Sequence, residues 1–305
     1  MTALAAHSDV PSLVTASNVE NALRDIEPVE LRSPLIRRVG ASGFVTEDIL
    51  SRAHARLARE RVDATSVLLD AGCGRGGPGL WLAEQTGARL YGIDVDAYAI
   101  DQALRSARGY KLLREPHFAC ASYETTWIEP ETAHVVFSLD ALHLAARPLE
   151  ALAELHRIMI EGGVLLFNVY VAAGDADAQT WVQNLETSGF TILDIDDQTR
   201  RWREVMMAKH RARIEHAAFL TRRFGTRVAG ELASSRALLG LDYGPSVIAG
   251  TRRVELFARK LPSHTPRRRL AHGSVQTLCM PDSRASEQDR IAMAVEDDLI
   301  DRLGE

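Results

Sequence analysis

From Ser66 onward, short apolar runs alternate with stretches in which apolar residues recur at helical spacing. Apolar runs of this length are typical of buried strands, and the spacing between them indicates helices. The predicted strands cover 67–70, 90–94, 118–120, 135–138 and 164–171, and the predicted helices cover 79–85, 97–107 and 148–159. Because strands and helices alternate, the pattern predicts parallel βαβ units in a doubly wound α/β sheet.

The pattern continues on both sides of this region. Before it, helical spacing is weak at 19–26, and Thr46 is the predicted N-cap of a further helix. After it come a helix over about 176–187, a strand over 190–195, a helical insertion over about 200–241 and a last strand over 254–258. Two strands separated by an insertion usually form an antiparallel edge, so we expect a seven-stranded, mostly parallel sheet with a helical lid.

This pattern divides the chain into three predicted segments. Residues 1–45 form an N-terminal lid segment, residues 46–261 form the α/β domain with its insertion at about 200–241, and residues 262–305 form a C-terminal appendage. The appendage contains an arginine run, an acidic end and one predicted amphipathic helix over 289–303.

Composition excludes several classes of protein. Hydrophobic residues make up 46% of the chain and charged residues 25%, which argues against a disordered or fibrous protein. The formal net charge is −5, so the chain lacks the excess of basic residues that is typical of nucleic-acid-binding proteins. The longest apolar stretch, 164–173, is shorter than the roughly 20 residues that span a bilayer, and residues 1–14 lack a basic signal region. We therefore expect neither nucleic acid nor a membrane as partner.

The three cysteines contain no CxxC pair, which disfavours a disulfide framework or a zinc site. No cluster of metal ligands is visible in the sequence, so we expect a metal-independent protein. Reduced thiols indicate a cytoplasmic location. The sequence leaves the oligomeric state open, with a homodimer as one candidate.

A glycine-rich turn follows the first predicted strand. Residues 70–79 read Asp-Ala-Gly-Cys-Gly-Arg-Gly-Gly-Pro-Gly, and such a turn brings backbone N–H groups close to a ligand. Spacing alone is ambiguous, since Gly77 completes a dinucleotide GxGxxG whereas Gly76 completes GxGxG. Asp70 favours a cationic amine over a pyrophosphate. Asp94, at the end of the next strand, can accept both hydroxyls of a ribose.

With these residues the chain resembles the class I S-adenosylmethionine-dependent methyltransferases of the small-molecule, specialised-metabolite type, over about 44–260. Segments 70–76, 136–143 and 157–166, together with Asp94, correspond to family motifs in the family's order, with Glu161 where proline is usual. The alternative of an NAD-type Rossmann protein rests mainly on Gly77.

The resemblance implies S-adenosyl-L-methionine as cofactor and a role for each matched position. The glycine loop would hold its methionine part, Asp94 its ribose and Val95 its adenine, while Leu139 would offer backbone near the sulfonium. Ser122 stands where the family often has an aspartate for the adenine amino group. The predicted cofactor-binding residues are Asp70, Gly72, Cys73, Gly74, Asp94, Val95, Ser122, Tyr123 and Leu139.

The acceptor chemistry is expected just after the fourth and fifth strands, because ligands bind outside the carboxyl ends of such sheets. His143 is the candidate catalytic base; the alternative is a histidine that orders its loop. Asp140 is expected to be structural or near the cofactor, and Asn168 either orients a substrate or is a satisfied strand-end group. The apolar residues of the insertion form either the core of its helices or a hydrophobic pocket for the acceptor. Its basic residues form either a solvated surface or a site that neutralises an anionic acceptor.

These features predict methyl transfer to an oxygen, nitrogen or carbon atom of a small molecule. Two alternatives remain open: an enzyme of the same fold that keeps the cofactor but catalyses a cyclisation or another non-methylating step, and a non-catalytic partner subunit.

Overall fold

Seven strands form one sheet in the order β3-β2-β1-β4-β5-β7-β6, with β6 and β7 antiparallel. The computed structural model describes residues 18–41, 43–172, 177–242 and 244–262. The strands are β1 Val67–Ala71, β2 Arg89–Asp94, β3 His117–Cys120, β4 Ala133–Ser138, β5 Met159–Ala172, β6 Phe190–Asp197 and β7 Thr251–Lys260. The predicted fold class, including the antiparallel edge, is confirmed.

Most of the helices agree with the predicted pattern, but the short helices α2, α3 and α12 were not predicted. They are α1 Val19–Ile26, α2 Val29–Arg32, α3 Pro34–Val39, α4 Glu47–Arg59, α5 Gly77–Thr86, α6 Ala97–Ala107, α7 Pro148–Ile158, α8 Asp177–Thr187, α9 Thr199–Glu215, α10 Ala217–Phe224, α11 Ala229–Leu239 and α12 Val247–Gly250. Thr46 caps α4 by accepting a hydrogen bond from the Ile49 N–H. None of the described helices is long and apolar enough to cross a membrane.

The chain divides into two compact units. Within the described residues, the sheet unit comprises 34–198 and 252–262, and the helical unit comprises 18–33 and 199–251, each with the gaps given above. The three-segment division stays a prediction. Residues 263–305, with the helix predicted over 289–303, lie outside the described residues.

The sheet unit has a core on each face of the sheet. Side chains alternate along a strand, so Leu68 of β1 joins one core and its neighbour Leu69 joins the other. Leu57 and Leu80, from α4 and α5, pack on the first face, and Leu155 of α7 packs on the second. Helices therefore cover both faces, which explains why the strands are continuous apolar runs.

The helical unit buries much of the apolar surface that the sequence assigned to either core or pocket. Leu23, Leu220 and Phe224 share one cluster between α1 and α10, and Trp202 and Met206 of α9 are also buried. Their burial favours the interpretation as helix core.

Part of the basic character of the insertion is also internal to this unit. Arg213 is buried and forms ion pairs with Glu231 at 2.8 Å and Glu27 at 3.5 Å. Its charge is therefore balanced within the helical unit.

Gly77, which left the glycine motif ambiguous, serves packing. A Cβ on Gly77 would lie 1.7 Å from the carbonyl oxygen of Val39, at the end of α3. The first turn of α5 can approach α3 this closely only without a side chain. The GxGxxG spacing therefore has a structural reason that involves no dinucleotide.

We predict that Gly77→Ala lowers the free energy of unfolding by about 2–3 kcal/mol or more, since backbone must move to admit the methyl group. Gly250→Ala is the matched control, because a Cβ there meets nothing within 4 Å. It should change stability by about 1 kcal/mol at most. Urea unfolding of both variants checks this, and equal effects would contradict the packing role.

Candidate cofactor and acceptor site

The candidate site is built at the carboxyl edge of the sheet unit, where four neighbouring parallel strands end. β1 pairs with β2 on one side and with β4 on the other, and β4 pairs with β5. The segments that follow these strands therefore meet at one edge. Nearly all of the predicted site residues lie on these segments.

Backbone hydrogen bonds hold the glycine loop against β2. The N–H groups of Gly72 and Cys73 both donate to the Ile93 carbonyl, at 2.8 and 2.9 Å. Gly72 has a φ of 79°, and a Cβ there would lie 2.4 Å from the Ala141 Cβ and 2.5 Å from the Tyr123 hydroxyl. Next to it, a Cβ on Gly74 would meet nothing within 4 Å. The loop is thus tightly packed at Gly72 and open at Gly74.

Asp94 joins the end of β2 to this loop. Its Oδ2 accepts a hydrogen bond from the Gly74 N–H at 2.7 Å, and its Oδ1 accepts one from the Asp96 N–H at 3.0 Å. Each carboxylate oxygen can accept a further hydrogen bond. The half-buried carboxylate is therefore fixed in place and still able to bind a pair of hydroxyl groups.

Asp70 is a buried acid without a compensating cation among the described residues. Its side chain is 3% exposed, and its Oδ2 has no hydrogen-bond partner in the part of the chain that the structure describes. Burial raises the pKa of Asp70 well above its usual range, and the charge of Asp94 adds to this effect. A ligand cation beside Asp70 would relieve this cost.

The remaining predicted cofactor residues border the loop. The hydroxyl of the half-buried Tyr123 lies against Gly72, and desolvation together with the charges of Asp94 and Asp70 raises its pKa. Cys73 is buried, and burial raises the pKa of its thiol. Val95 is 68% exposed.

Ser122 and Leu139 complete the predicted set. Ser122 forms a β-bridge with Thr125, so the segment after β3 turns back sharply. Leu139 is half-buried against the sheet core that contains Leu68.

Beside the loop, Asp140 is the centre of a buried hydrogen-bond network. Its Oδ1 accepts from Asn168 Nδ2 at 2.7 Å, from the Tyr170 hydroxyl at 2.9 Å and from Arg253 Nη2 at 2.9 Å. Its Oδ2 accepts from the Phe44 N–H at 2.7 Å. Burial opposes ionisation of Asp140, but the Arg253 guanidinium and the Phe44 N–H outweigh it and hold the pKa below its usual value.

This network gives Asn168 a structural role. Its Oδ1 accepts from the Asp140 N–H at 2.8 Å while its Nδ2 donates to the Asp140 carboxylate, and the side chain is fully buried. Both ends of the amide are therefore used within the protein. This favours the satisfied strand-end group over the role in orienting a substrate.

His143 lies in a short 3₁₀ turn, Leu142–Leu144, directly after this network. Its ring meets the Tyr170 ring edge to face, with the centroids 4.9 Å apart. The Nδ1 atom has no hydrogen-bond partner within the described residues. Burial lowers the pKa of His143 to about 4, against the opposing effect of Asp140. The ring is thus neutral at neutral pH and a weaker base than the sequence led us to expect; its catalytic role stays a prediction.

Sequence reasoning missed Arg253 and Phe44. Arg253 stands in β7 beside Arg252, and Phe44 precedes the capping residue of α4. Because side chains alternate along a strand, one of the two adjacent arginines has to face inward, and this pattern could have indicated a buried arginine in β7. Across the described residues, no group of three or more His, Cys, Asp or Glu side chains is arranged to hold a metal ion.

Comparison with known proteins identifies the class of this domain. Residues 69–167 match a family described as "Methyltransferase domain". This match spans β1 to β5 and includes the glycine loop, Asp94 and Asp140. Over these residues the chain is similar to the class I S-adenosylmethionine-dependent methyltransferases, the class that its sequence predicted.

Individual relatives cover different parts of the chain. Phosphoethanolamine N-methyltransferase 1 of Arabidopsis thaliana is 25% identical over 214 residues, which are 63% of this chain and 43% of that protein. Sterol 24-C-methyltransferase of Clavispora lusitaniae is 31% identical over 104 residues, which are 34% of this chain and 27% of that protein. The chain thus spans less than half the length of these two curated relatives.

A solved structure extends the likeness of fold. The [4+2]-cyclase SpnF aligns with a TM-score of 0.59 and 24% sequence identity, over 76% of this chain and 93% of that one. At this identity the likeness concerns the fold alone.

We predict that Asp70→Asn raises stability and weakens cofactor binding together. The raised pKa of Asp70 means that its folded-state carboxyl costs stability as pH rises above the unfolded value near 4, and the amide removes that cost. Urea unfolding at about pH 8 should show a higher free energy of unfolding. Calorimetry should show about tenfold or greater loss of affinity for S-adenosylmethionine.

The half-buried Asp96, which caps α6 through the Tyr98 N–H, offers the control. Asp96→Asn keeps the cap and should change neither quantity appreciably. A destabilised Asp70→Asn protein with unchanged affinity would show that Asp70 is only structural.

His143 should make the protein acid-sensitive. Its pKa is about 4 in the folded protein and 6.5 ordinarily, so between these values the unfolded chain binds a proton that the folded chain does not. Stability contributed by this ring is therefore lost as pH falls through that window. His143→Asn should lose less unfolding free energy than wild type between about pH 7 and pH 4.5. Equal losses in denaturant titrations would contradict the buried, neutral ring.

Proposed function

We propose that this chain transfers a methyl group from S-adenosylmethionine to a small-molecule acceptor. The single observation that carries the proposal is the pair of acids at the glycine loop: Asp94, fixed by the Gly74 N–H with acceptor capacity left, and Asp70, buried and uncompensated. The match of residues 69–167 to a methyltransferase domain supports the same activity.

The residues at this edge fit the cofactor. Asp94 would accept hydrogen bonds from the ribose diol, and Asp70 would face the cationic methionine part across the glycine loop. The open space at Gly74 leaves room for a group to approach the backbone. When bound, S-adenosylmethionine supplies an electrophilic methyl group on a sulfonium with a good leaving group.

The protein's remaining task is to hold the acceptor, and positioning of this kind can supply roughly 7–11 kcal/mol of the barrier. His143 and Tyr170 offer a ring surface at this edge, and the neutral His143 can take up a proton but binds it weakly. This favours an acceptor that needs no strong base, such as a neutral amine or a nucleophilic carbon. By their names, the two curated relatives methylate nitrogen and carbon.

Our further proposals concern the biological setting. A specialised metabolite as acceptor, natural-product biosynthesis as role and a cytoplasmic location fit the small-molecule relatives and the sparse cysteines, which contain no CxxC pair. A homodimer and the absence of a nucleic-acid partner stay predictions from the sequence.

The direct test supplies purified protein with S-adenosylmethionine labelled in the methyl group, together with panels of small amines, polyols and isoprenoids. We expect S-adenosylhomocysteine and a labelled product in equal amounts. Tight cofactor binding with no labelled product and no S-adenosylhomocysteine would instead favour the non-methylating alternative. Absence of cofactor binding would favour the non-catalytic subunit.

The ribose acid gives the sharpest mutational test. Asp94→Ala removes two charge-assisted hydrogen bonds, each contributing about 1.5–3 kcal/mol, whereas Ser122→Ala removes at most one neutral bond of about 1 kcal/mol. We expect the dissociation constant for S-adenosylhomocysteine to rise at least about a hundredfold in the first variant and about fivefold at most in the second. Calorimetry measures both. A wild-type constant for Asp94→Ala would show that the ribose lies elsewhere.

A further inference from the structure

Arg253 is a fully buried cation that cannot reach a substrate. Its side chain is 0% exposed, and Asp140, Gln198, Phe44 and Tyr170 enclose its guanidinium. Nη2 donates to Asp140 Oδ1 at 2.9 Å, Nη1 donates to Gln198 Oε1, and the guanidinium carbon lies 5.1 Å from the centre of the Phe44 ring. Any effect of Arg253 on chemistry must therefore pass through another residue.

Asp140 is the residue through which Arg253 can act. It has a φ of 55°, a left-handed conformation that residues with a side chain seldom adopt, although Asp does so more readily than most. Hydrogen bonds from Asn168 of β5, from Arg253 of β7 and from the Phe44 N–H before α4 hold it there. Such strain persists only where the surroundings fix it.

The residues just after Asp140 contact both parts of the candidate site. Ala141 lies against Gly72 of the cofactor loop, and His143 packs its ring against Tyr170. A rotation at Asp140 would therefore shift the ring surface for the acceptor relative to the cofactor loop. Misplacement of reacting groups by about 1 Å can cost a hundredfold in rate.

Stability alone does not explain the pair. Removing two charges from water is unfavourable, and an apolar pair of similar volume is often as stable or more stable. The charges instead provide direction, because a guanidinium bonded to Asp140, Gln198 and an aromatic face has a single orientation.

We infer that Arg253 is a positioning residue for methyl transfer: through Asp140 it fixes the turn 139–143 between the cofactor loop and Tyr170. This inference rests on the proposed function. Arg253 touches neither cofactor nor acceptor, and it acts on the alignment of the acceptor with the methyl group rather than on cofactor affinity.

The adjacent Arg252 provides a matched control. It lies in the same strand and forms a partly exposed ion pair with Asp197 at 2.7 Å. Asp197 does not belong to the hydrogen-bond network around Asp140. Surface pairs of this kind contribute little to stability. Arg252→Met should therefore keep the wild-type rate of methyl transfer.

The experiment compares four variants with wild type: Arg253→Met, Arg253→Lys, the double variant Asp140→Asn with Arg253→Met, and Arg252→Met. Three quantities are measured for each: the free energy of unfolding, the dissociation constant for S-adenosylhomocysteine, and the single-turnover rate of methyl transfer. The rate is measured with saturating S-adenosylmethionine and the amine, polyol or isoprenoid that wild type methylates fastest in the labelled panel. The double variant leaves no unpaired buried charge, and asparagine accepts the left-handed conformation, so it folds even where Arg253→Met does not.

We expect Arg253→Met and the double variant to bind S-adenosylhomocysteine within about threefold of wild type and to react about 30- to 100-fold more slowly. The double variant should recover stability without recovering rate, and Arg253→Lys should recover part of the rate. A double variant that regains wild-type rate along with stability would overturn the inference, since the pair would then be purely structural.

The outcome for wild type separates this inference from the proposed function. If wild type transfers no methyl group to any acceptor, the proposed function fails and the inference falls with it. If wild type transfers methyl groups and Arg253→Met does so equally fast, only the inference fails.

Discussion

The ion pair between Asp140 and Arg253 joins the parts of the sheet unit that meet at the candidate site. Asp140 follows β4, and its carboxylate binds Asn168 and Tyr170 of β5, Arg253 of β7 and the backbone before α4. An unpaired charge at this depth would cost several kcal/mol, so each partner requires the other. Because of this mutual requirement, strands that are distant in sequence end in a fixed arrangement.

The same edge contains a second buried acid, Asp70, which unlike Asp140 has no cationic partner among the described residues. Asp140 is neutralised within the protein, so its charge is not available to a ligand, whereas Asp70 is buried with no cation beside it in the described structure. Asp94 adds a third carboxylate, held by backbone N–H groups only. The uncompensated negative charge is therefore concentrated at the glycine loop, which suits a cationic cofactor better than a pyrophosphate.

Much of the fold follows from local pattern. The helix Ala97–Ala107 has the predicted bounds, because Asp96 caps its start and its apolar residues recur at helical spacing. β5 begins at Met159 rather than at 164, because Met159 already pairs with Ala133 of β4, ahead of an irregularity that contains Gly162, whose φ is 75°. Asp70, Asp94 and the glycine loop could be predicted because they are close together in sequence or end consecutive strands.

The unpredicted features depend on contacts between distant residues. The partners Arg253 and Asp140 are 113 positions apart, and nothing in the neighbourhood of either residue indicates the other. The weak basicity of His143 could not be foreseen, since it arises from burial in the assembled site. The packing role of Gly77 likewise requires Val39, from a helix that the sequence did not predict.

Calorimetric titration of the wild-type protein with S-adenosylhomocysteine and, separately, with NAD tests the central claim most directly. The first ligand would place a cationic amine at the glycine loop, and the second would place a pyrophosphate there. The acids at this edge predict a dissociation constant in the micromolar range for S-adenosylhomocysteine, about −8 kcal/mol, and no measurable heat with NAD. Binding of NAD without binding of S-adenosylhomocysteine would contradict the account.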